Sequence, residues 1–387
     1  RAEVARAGAA FLPRIEASWS RSHTTAATDG RPSQHSAARE WRIALTQPLF
    51  DWALWSHRQL ADVRRARQSL MAAQARQQLR MQVVERYFAA LAARDELALD
   101  LEAHAVLQAQ QVSTLARREA GEATLIDLHE LQAELARSSH AVSDARTRAQ
   151  LRLQQVQDML GHPVQGLAGL PEQQALPGLF PDDLTAWIAQ AGSSNFDIQL
   201  ARLDQRIAAL EGSRALGDYL PRAMFKASHG RQDGGAAPPG RPPTRSSAIG
   251  VQLTIPLFSG IEGNYRRRQT LALEEQAAHE LEAARRKTLA AVHESHALAQ
   301  QGRRSIAELD AFVTAAARAL EATRIGYRIG NRREIDLIRT QATLRGARRD
   351  RLRARYDALL HSLRLKALTA SLTHADIEAI NQLLQPD

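Results

Sequence analysis

The sequence predicts a mainly α-helical chain with a β-barrel portion, written twice. Three observations carry that prediction. TQPLF at 46–50 is nearly repeated as TIPLF at 254–258, and FLPR at 11–14 as YLPR at 219–222. Both pairs lie 208 residues apart (256 − 48 and 221 − 13), so an internal duplication is the simplest source. Ahead of each PLF stand two stretches of about ten residues in which apolar and polar side chains alternate. Behind each PLF run about 65 residues with no proline and almost no glycine, 52–120 and 261–326.

In the first copy, 14–22 places Ile15, Ala17 and Trp19 on one face and Arg14, Glu16, Ser18 and Ser20 on the other. A polar loop is expected over 22–38. Then 40–49 alternates again, with Trp41, Ile43, Leu45 and Leu49 opposite Glu40, Arg42, Ala44 and Thr46. The second copy sets Ala223, Phe225 and Ala227 against Arg222, Met224, Lys226 and Ser228. After a Gly- and Pro-rich loop at 229–247, it sets Ile249, Val251, Leu253, Ile255 and Leu257 against Gly250, Gln252 and Thr254. Ten residues is the length a tilted strand needs to cross the hydrocarbon layer of a bilayer.

At 1.5 Å per residue, each long run makes a helix of roughly 100 Å, which only side-by-side helices in a bundle or tube bury. Both runs end near a glycine, Gly121 in GEATLIDL and Gly330 in GNRREIDL, and Asp127 and Asp336 again register at 336 − 127 = 209. These are the tip turns. The returning helices, 124–160 and 333–372, are too short to cover their partners. A helix over 183–215 is expected to stack on the first of them through a linker. The second hairpin therefore has a preceding helix, and 1–14 reads as the last turns of the same element in the first copy, with a leader and most of that helix expected to lie outside the chain. The domain reading is a first repeat at 1–160, a linker or equatorial region at 161–182, a second repeat at 183–372 and a C-terminal tail at 373–387.

Bulk properties narrow the class. The 44% hydrophobic and 5% aromatic content suits long packed helices better than a compact globule. The formal charge of +9 is carried by arginine, since Lys226, Lys287 and Lys366 are the only lysines. Such an excess commonly follows nucleotide composition, yet it makes a surface or lumen that attracts anions. There is no cysteine, hence no disulfide framework or thiolate metal site, and no apolar run approaches the ~18 residues of a spanning helix. HESH at 293–296 places two imidazoles a turn apart without zinc-protease spacing. The basic runs at 266–269 and 348–356 lack the interleaved aromatics and reading module of a nucleic-acid binder. Phosphate loops, nucleophile elbows and paired catalytic carboxylates are absent, so neither an enzyme nor a cofactor is expected.

Four strands do not close a barrel, and an open edge in lipid leaves backbone groups unpaired. Closure needs several copies, and a homotrimer supplies twelve strands. Pro48 and Pro256 mark the strand-to-helix joints, because proline lacks the donor that another ladder residue needs. The LPR strand starts, the PLF joints, the two tips and the duplication together resemble the TolC-like outer-membrane efflux proteins, over essentially the whole chain. That resemblance implies a trimeric channel-tunnel in the outer membrane with a periplasmic α-helical barrel, serving an inner-membrane ABC or proton-driven transporter through a periplasmic adaptor. It implies a gate latch of Tyr327 and Arg332 bonded to Asp127, and a pore constriction at Asp336. The second constriction aspartate of the family is replaced by Arg339. The cargo is either small molecules and drugs or, as in the CyaE-like toxin-secretion branch, a large acidic polypeptide. A soluble elongated coiled-coil scaffold is the alternative, and the lipid-ready strand faces speak against it. With Asp336 and Arg339 in alternating layers, ion-substitution recordings are expected to show weaker cation selectivity than the family norm. Strong selectivity abolished by Asp336→Ala would place Arg339 away from the pore.

Overall fold

Helix, two strands, long helix, shorter helix is the order of elements, and the chain writes it twice. The first pass is α1 (Ala2–Ala9), β1 (Arg14–Thr28), β2 (Arg31–Phe50), α2 (Trp52–Glu119) and α3 (Leu125–Leu160). The second is α4 (Leu184–Ser194), α5 (Phe196–Leu216), β3 (Arg222–Gly234), β4 (Thr244–Thr254), α6 (Glu262–Arg328) and α7 (Glu334–Leu368), with α8 (His374–Asn381) after it. This computed structural model describes residues 2–28, 31–171, 174–178, 181–234, 242–257 and 261–385. Contacts divide the chain into two units, one of Arg1–Ala72 with Gln199–Ala284 and one of Ala73–Ile198 with Arg285–Asp387. No helix among the described residues is long and apolar enough to cross a membrane.

In the first unit the four strands form one antiparallel sheet in the order β1-β2-β3-β4. Register decides what each face carries, since residues directly opposite one another point the same way. Ile15 faces Leu45, which faces Ala227, which faces Ile249; Ala17, Ile43 and His229 make the next row. Most of the apolar residues expected for the separate strands thus merge into one face, which also carries Gln47 opposite Phe225, while Ile255 and Leu257 lie beyond the end of β4. The face is open: Ile15 is 68%, Trp19 70% and Ile249 80% exposed. The other face carries Arg14, Glu16, Glu40, Arg42 and Lys226, in the rows Arg14–Thr46–Lys226, Glu16–Ala44 and Ser18–Arg42.

Two expectations are corrected here. The segments read as rim loops are largely strand: β1 and β2 pair as far as Thr28 and Arg31, and β3 and β4 pair up to Gln232 and Thr244. Once a hairpin has begun, each further ladder bond satisfies two backbone groups, so Ser- and Thr-rich sequence continues the strand instead of leaving it. The loop tips at 29–30 and 235–241, and Phe258 of the second PLF, lie outside the described residues. Nor does Pro48 end its ladder. It stays in β2 opposite Met224, and an irregularity between Pro48 and Phe50 brings Phe50 opposite Ala223. A bulge tolerates the missing N–H, and α2 is then opened by Asp51, whose carboxylate accepts the Leu54 N–H at 3.1 Å. β4 ends at Thr254, two residues before Pro256, and α6 begins at Glu262.

The helix expected over 183–215 is broken at Asn195. Its Oδ1 accepts the N–H groups of Asp197 and Ile198 at 2.9 and 3.2 Å, which caps α5, while its backbone is non-helical at φ −56, ψ 132. In the second unit this junction meets α7 rather than the first return helix. Asn195 Nδ2 donates to Leu368 O at 2.8 Å and Ser194 Oγ to Thr369 O at 2.6 Å, supplying partners for carbonyls that a helix end leaves free. Trp187 and Ala191 pack beside them on Val292, Ala299 and Leu365. The 161–182 segment is held in the same way. Tyr87 Oη donates to Ala168 O at 2.9 Å, Arg94 to Leu167 O at 2.6 Å, and buried Arg355 to Pro171 O and Gln174 O, each at 2.8 Å. Leu167 and Leu170 join a core of Phe88, Leu91, Tyr356 and Leu359. Residues 172–173 and 179–180 of this segment lie outside the described set.

The basic run at 348–356 has a structural use. Arg348 and Arg353 of that run, with Arg345 and Arg364 on either side of it, pair from α7 to Glu102, Glu96, Asp100 and Glu85 of α2 respectively. Each exposed pair contributes little, about 0–1 kcal/mol. Asn195 is buried and serves two helices at once. Chemical denaturation is therefore expected to show Asn195→Ala destabilising the protein by about 2–3 kcal/mol, and Arg348→Gln by less than about 1 kcal/mol.

Candidate functional site

The two helix turns are built alike from the backbone upward. α2 runs into Gly121 at φ 79 and α6 into Gly330 at φ 76, a left-handed conformation that suits glycine. Behind each glycine the chain folds back on the helix end: Glu122 N–H donates to Arg117 O and Asn331 N–H to Gly326 O, both at 2.8 Å. Such six-to-one bonds satisfy carbonyls of the last turn. The next helices start from extended residues, Thr124 at φ −85, ψ 161 and Arg333 at φ −86, ψ 162. The registered aspartates then do the same task. Asp127 Oδ2 accepts Thr124 N–H at 3.0 Å and Asp336 Oδ2 accepts Arg333 N–H at 3.3 Å, which places negative charge at each helix N-terminus.

Within one chain the three residues expected to form the latch are not brought together. Asp127 is engaged by its own cap, and Thr124 Oγ1 also donates to it at 2.6 Å. Tyr327 donates instead to Glu334, with the Arg117 guanidinium 4.7 Å from its ring centroid. The Arg332 side chain lies against Gly326, where a Cβ would meet its Cγ at 2.8 Å. Asp336 is half-buried and Arg339, one turn further along α7, is exposed.

What the fold assembles at the tips is a cluster that sequence reasoning missed. The carboxyl group of Glu334, 2% exposed, accepts from Tyr327 on α6 and from Gln110 and Thr114 on α2, the last at 3.4 Å. Gln341 on α7 donates to Gln110 at 3.4 Å. Leu107, Leu131 and Ile338 pack nearby, so three helices of the tip are tied through one buried acid. The duplication itself held a signal: Glu334 registers with Leu125, so the copies differ where the cluster forms. Burial raises the Tyr327 hydroxyl to about 12, and the bond to Glu334 and its charge add to the effect. Of the HESH pair, His293 is exposed while His296 is buried against the Asp182 carbonyl at 3.3 Å. Among the described residues no three metal-ligating side chains gather.

A four-stranded sheet with an open apolar face, joined to helices of 68 and 67 residues that end in matched turns, defines a subunit of an outer-membrane channel of the TolC-like fold. The chain belongs to the outer membrane efflux protein family, whose model matches residues 1–162 and 187–371. It is 27% identical over 388 residues to the alkaline protease secretion protein AprF of Pseudomonas aeruginosa, covering 96% of this chain and 79% of AprF. It is 24% identical over 360 residues to the outer membrane protein TolC of Escherichia coli, covering 90% and 73% of the two chains. The crystal structure of the Campylobacter jejuni CmeC outer membrane channel superposes with a TM-score of 0.82 at 13% identity, over 99% of this chain and 83% of CmeC.

Removing Glu334 strands three donors. Glu334→Ala is expected to cost about 2–3 kcal/mol locally, seen as faster hydrogen exchange around 110–118 and 327–334. The pH dependence follows from Tyr327. Its folded value lies above the ordinary 10, so its contribution is fully present below pH 10 and is lost as pH rises through about 12. Ultraviolet titration of the phenol should report that midpoint in the native protein, falling only part of the way toward 10 in Glu334→Gln, since burial, the larger cause, remains.

Proposed function

We propose that three copies of this chain close into a twelve-stranded barrel and work as the export duct of a tripartite system. The observation that carries this is the sheet. Its outer strands, β1 and β4, leave one backbone edge each without a partner among the described residues, while its apolar face is open. In lipid both facts are resolved together when the β4 edge of one copy pairs with the β1 edge of the next. An adaptor and an inner-membrane transporter of the ABC or proton-driven kind supply the energy, and the duct itself remains passive. Single-particle imaging in detergent is the direct test. Threefold particles with a detergent belt around the strands support the duct, and belt-free rods without threefold symmetry overturn it.

The gate latch is proposed between neighbouring copies, since Asp127 and Arg332 each lie at an exposed or half-exposed tip and share no bond within the chain. The Glu334 cluster ties each copy's own helices, and the Asp127–Arg332 contact would tie copy to copy. Planar-bilayer recordings should show a several-fold larger conductance for Asp127→Ala or Arg332→Ala, and unchanged conductance in both would remove the latch.

Polypeptide cargo is the favoured substrate class. AprF is named for protease secretion, and the sheet face opposite the apolar one carries Arg14, Arg42, Arg222 and Lys226 against Glu16 and Glu40. A net positive wall attracts an acidic chain and matters less as salt rises. Arg14→Gln with Arg42→Gln is expected to slow export of an acidic polypeptide several-fold at low salt while leaving a neutral small solute unaffected. Equal effects on both would favour small-molecule efflux.

A further inference from the structure

Where the apolar face of the sheet ends, arginines begin, and they are denser on that face than on the other. Rows made by the register climb from Ile15–Leu45–Ala227–Ile249 through Ala17–Ile43–His229–Ser247 to Trp19–Trp41–Arg231–Arg245 and then Arg21–Arg39–Asp233. At the same height the opposite face carries Ser18–Arg42–Gly230–Ser246, Ser20–Glu40–Gln232–Thr244 and Ser22–Ala38–Gly234, where the one arginine pairs with Glu40 at 2.8 Å. A rim merely bathed in water has no reason to sort its charges between faces. Arg21, Arg39 and Arg245 are exposed, and Arg231 is partly offset by Asp233 at 3.4 Å, so the two rows hold four guanidinium groups against one acid.

We propose that these arginines form a collar that binds the phosphate groups of the phosphorylated glycolipid in the outer leaflet of the outer membrane. The proposal rests on the reading that the apolar face meets lipid. Three features support that occupant. The collar lies toward the hairpin turns, at the end of the strands away from the α1, α2, α5 and α6 attachments at Arg14, Phe50, Arg222 and Thr254, and so faces the leaflet remote from the helices. Trp19 and Trp41, paired across the strands immediately beside it, are the residues that settle at the headgroup level of a bilayer. All four cations are arginine, whose planar fork grips a phosphate through two parallel bonds, where lysine offers a point charge. In a closed barrel the collar would repeat with each copy, and a lipid with more than one phosphate would bridge neighbouring rows.

The test is lipid retention by the full-length chain as purified. The protein is reconstituted with equal amounts of bisphosphorylated lipid A and its phosphate-free counterpart of the same acyl composition. It is then re-extracted, and bound lipid is counted by native mass spectrometry. The wild type should retain the phosphorylated form with a preference of roughly tenfold or more, weakening as salt rises. The variant carrying Arg21→Gln, Arg39→Gln, Arg231→Gln and Arg245→Gln should approach parity, and the milder Arg39→Gln with Arg245→Gln should fall between. A control that removes Arg14, Arg42, Arg222 and Lys226 in the same way, from the opposite face, should keep the preference. Parity in the wild type, or equal loss in the control, overturns the collar while leaving the duct standing. Failure of the wild type to enter the bilayer at all would overturn the duct reading with it.

Discussion

Backbone groups in lipid have no water to turn to, and that single constraint orders this structure. The sheet answers it inside the chain by pairing β1 with β2, β2 with β3 and β3 with β4, and extends the β1–β2 hairpin past the length a bilayer requires. The two edges that remain are a demand for further copies. A channel assembled from identical chains follows from that demand more directly than from any one motif, because an isolated four-stranded sheet with an apolar open face is unstable in water and in lipid alike.

Where irregular backbone is required, the same accounting recurs with side chains as partners. Tyr87, Arg94 and Arg355 donate to carbonyls of the 161–182 segment, and Asn195 takes up the Leu368 carbonyl while capping α5. At the tips Glu334 collects three donors. Much of the arginine excess is absorbed similarly. The α2–α7 ion pairs spend Arg345, Arg348, Arg353 and Arg364 on acids of the facing helix, so these charges face a neighbour instead of a nucleic acid.

The duplication gives the two halves one plan and different duties. Asp127 and Asp336 cap their helices alike, yet Leu125 is exposed at the first tip while Glu334, its counterpart, is buried at the second. Through Glu334 the second tip is thereby tied to α2, the helix that leads into the first tip.

By itself the sequence determined the periodic elements: two hairpins, two helices of nearly seventy residues, two glycine turns and the paired aspartates, because alternation, helical spacing and left-handed glycine are local properties that a linear pattern displays. It also determined the need for closure, since strand length and apolar alternation are read residue by residue. The tertiary structure alone decided the rest. That the polar 22–28 stretch is strand, that Asn195 breaks a helix and caps another, that Asp127 is occupied by Thr124, and that Glu334 is buried all depend on which groups lie opposite across long sequence separations. So does the sorting of Arg21, Arg39, Arg231 and Arg245 onto one face. A hydrogen bond or a register pairing has a partner, and the partner is chosen by folding rather than written beside the residue.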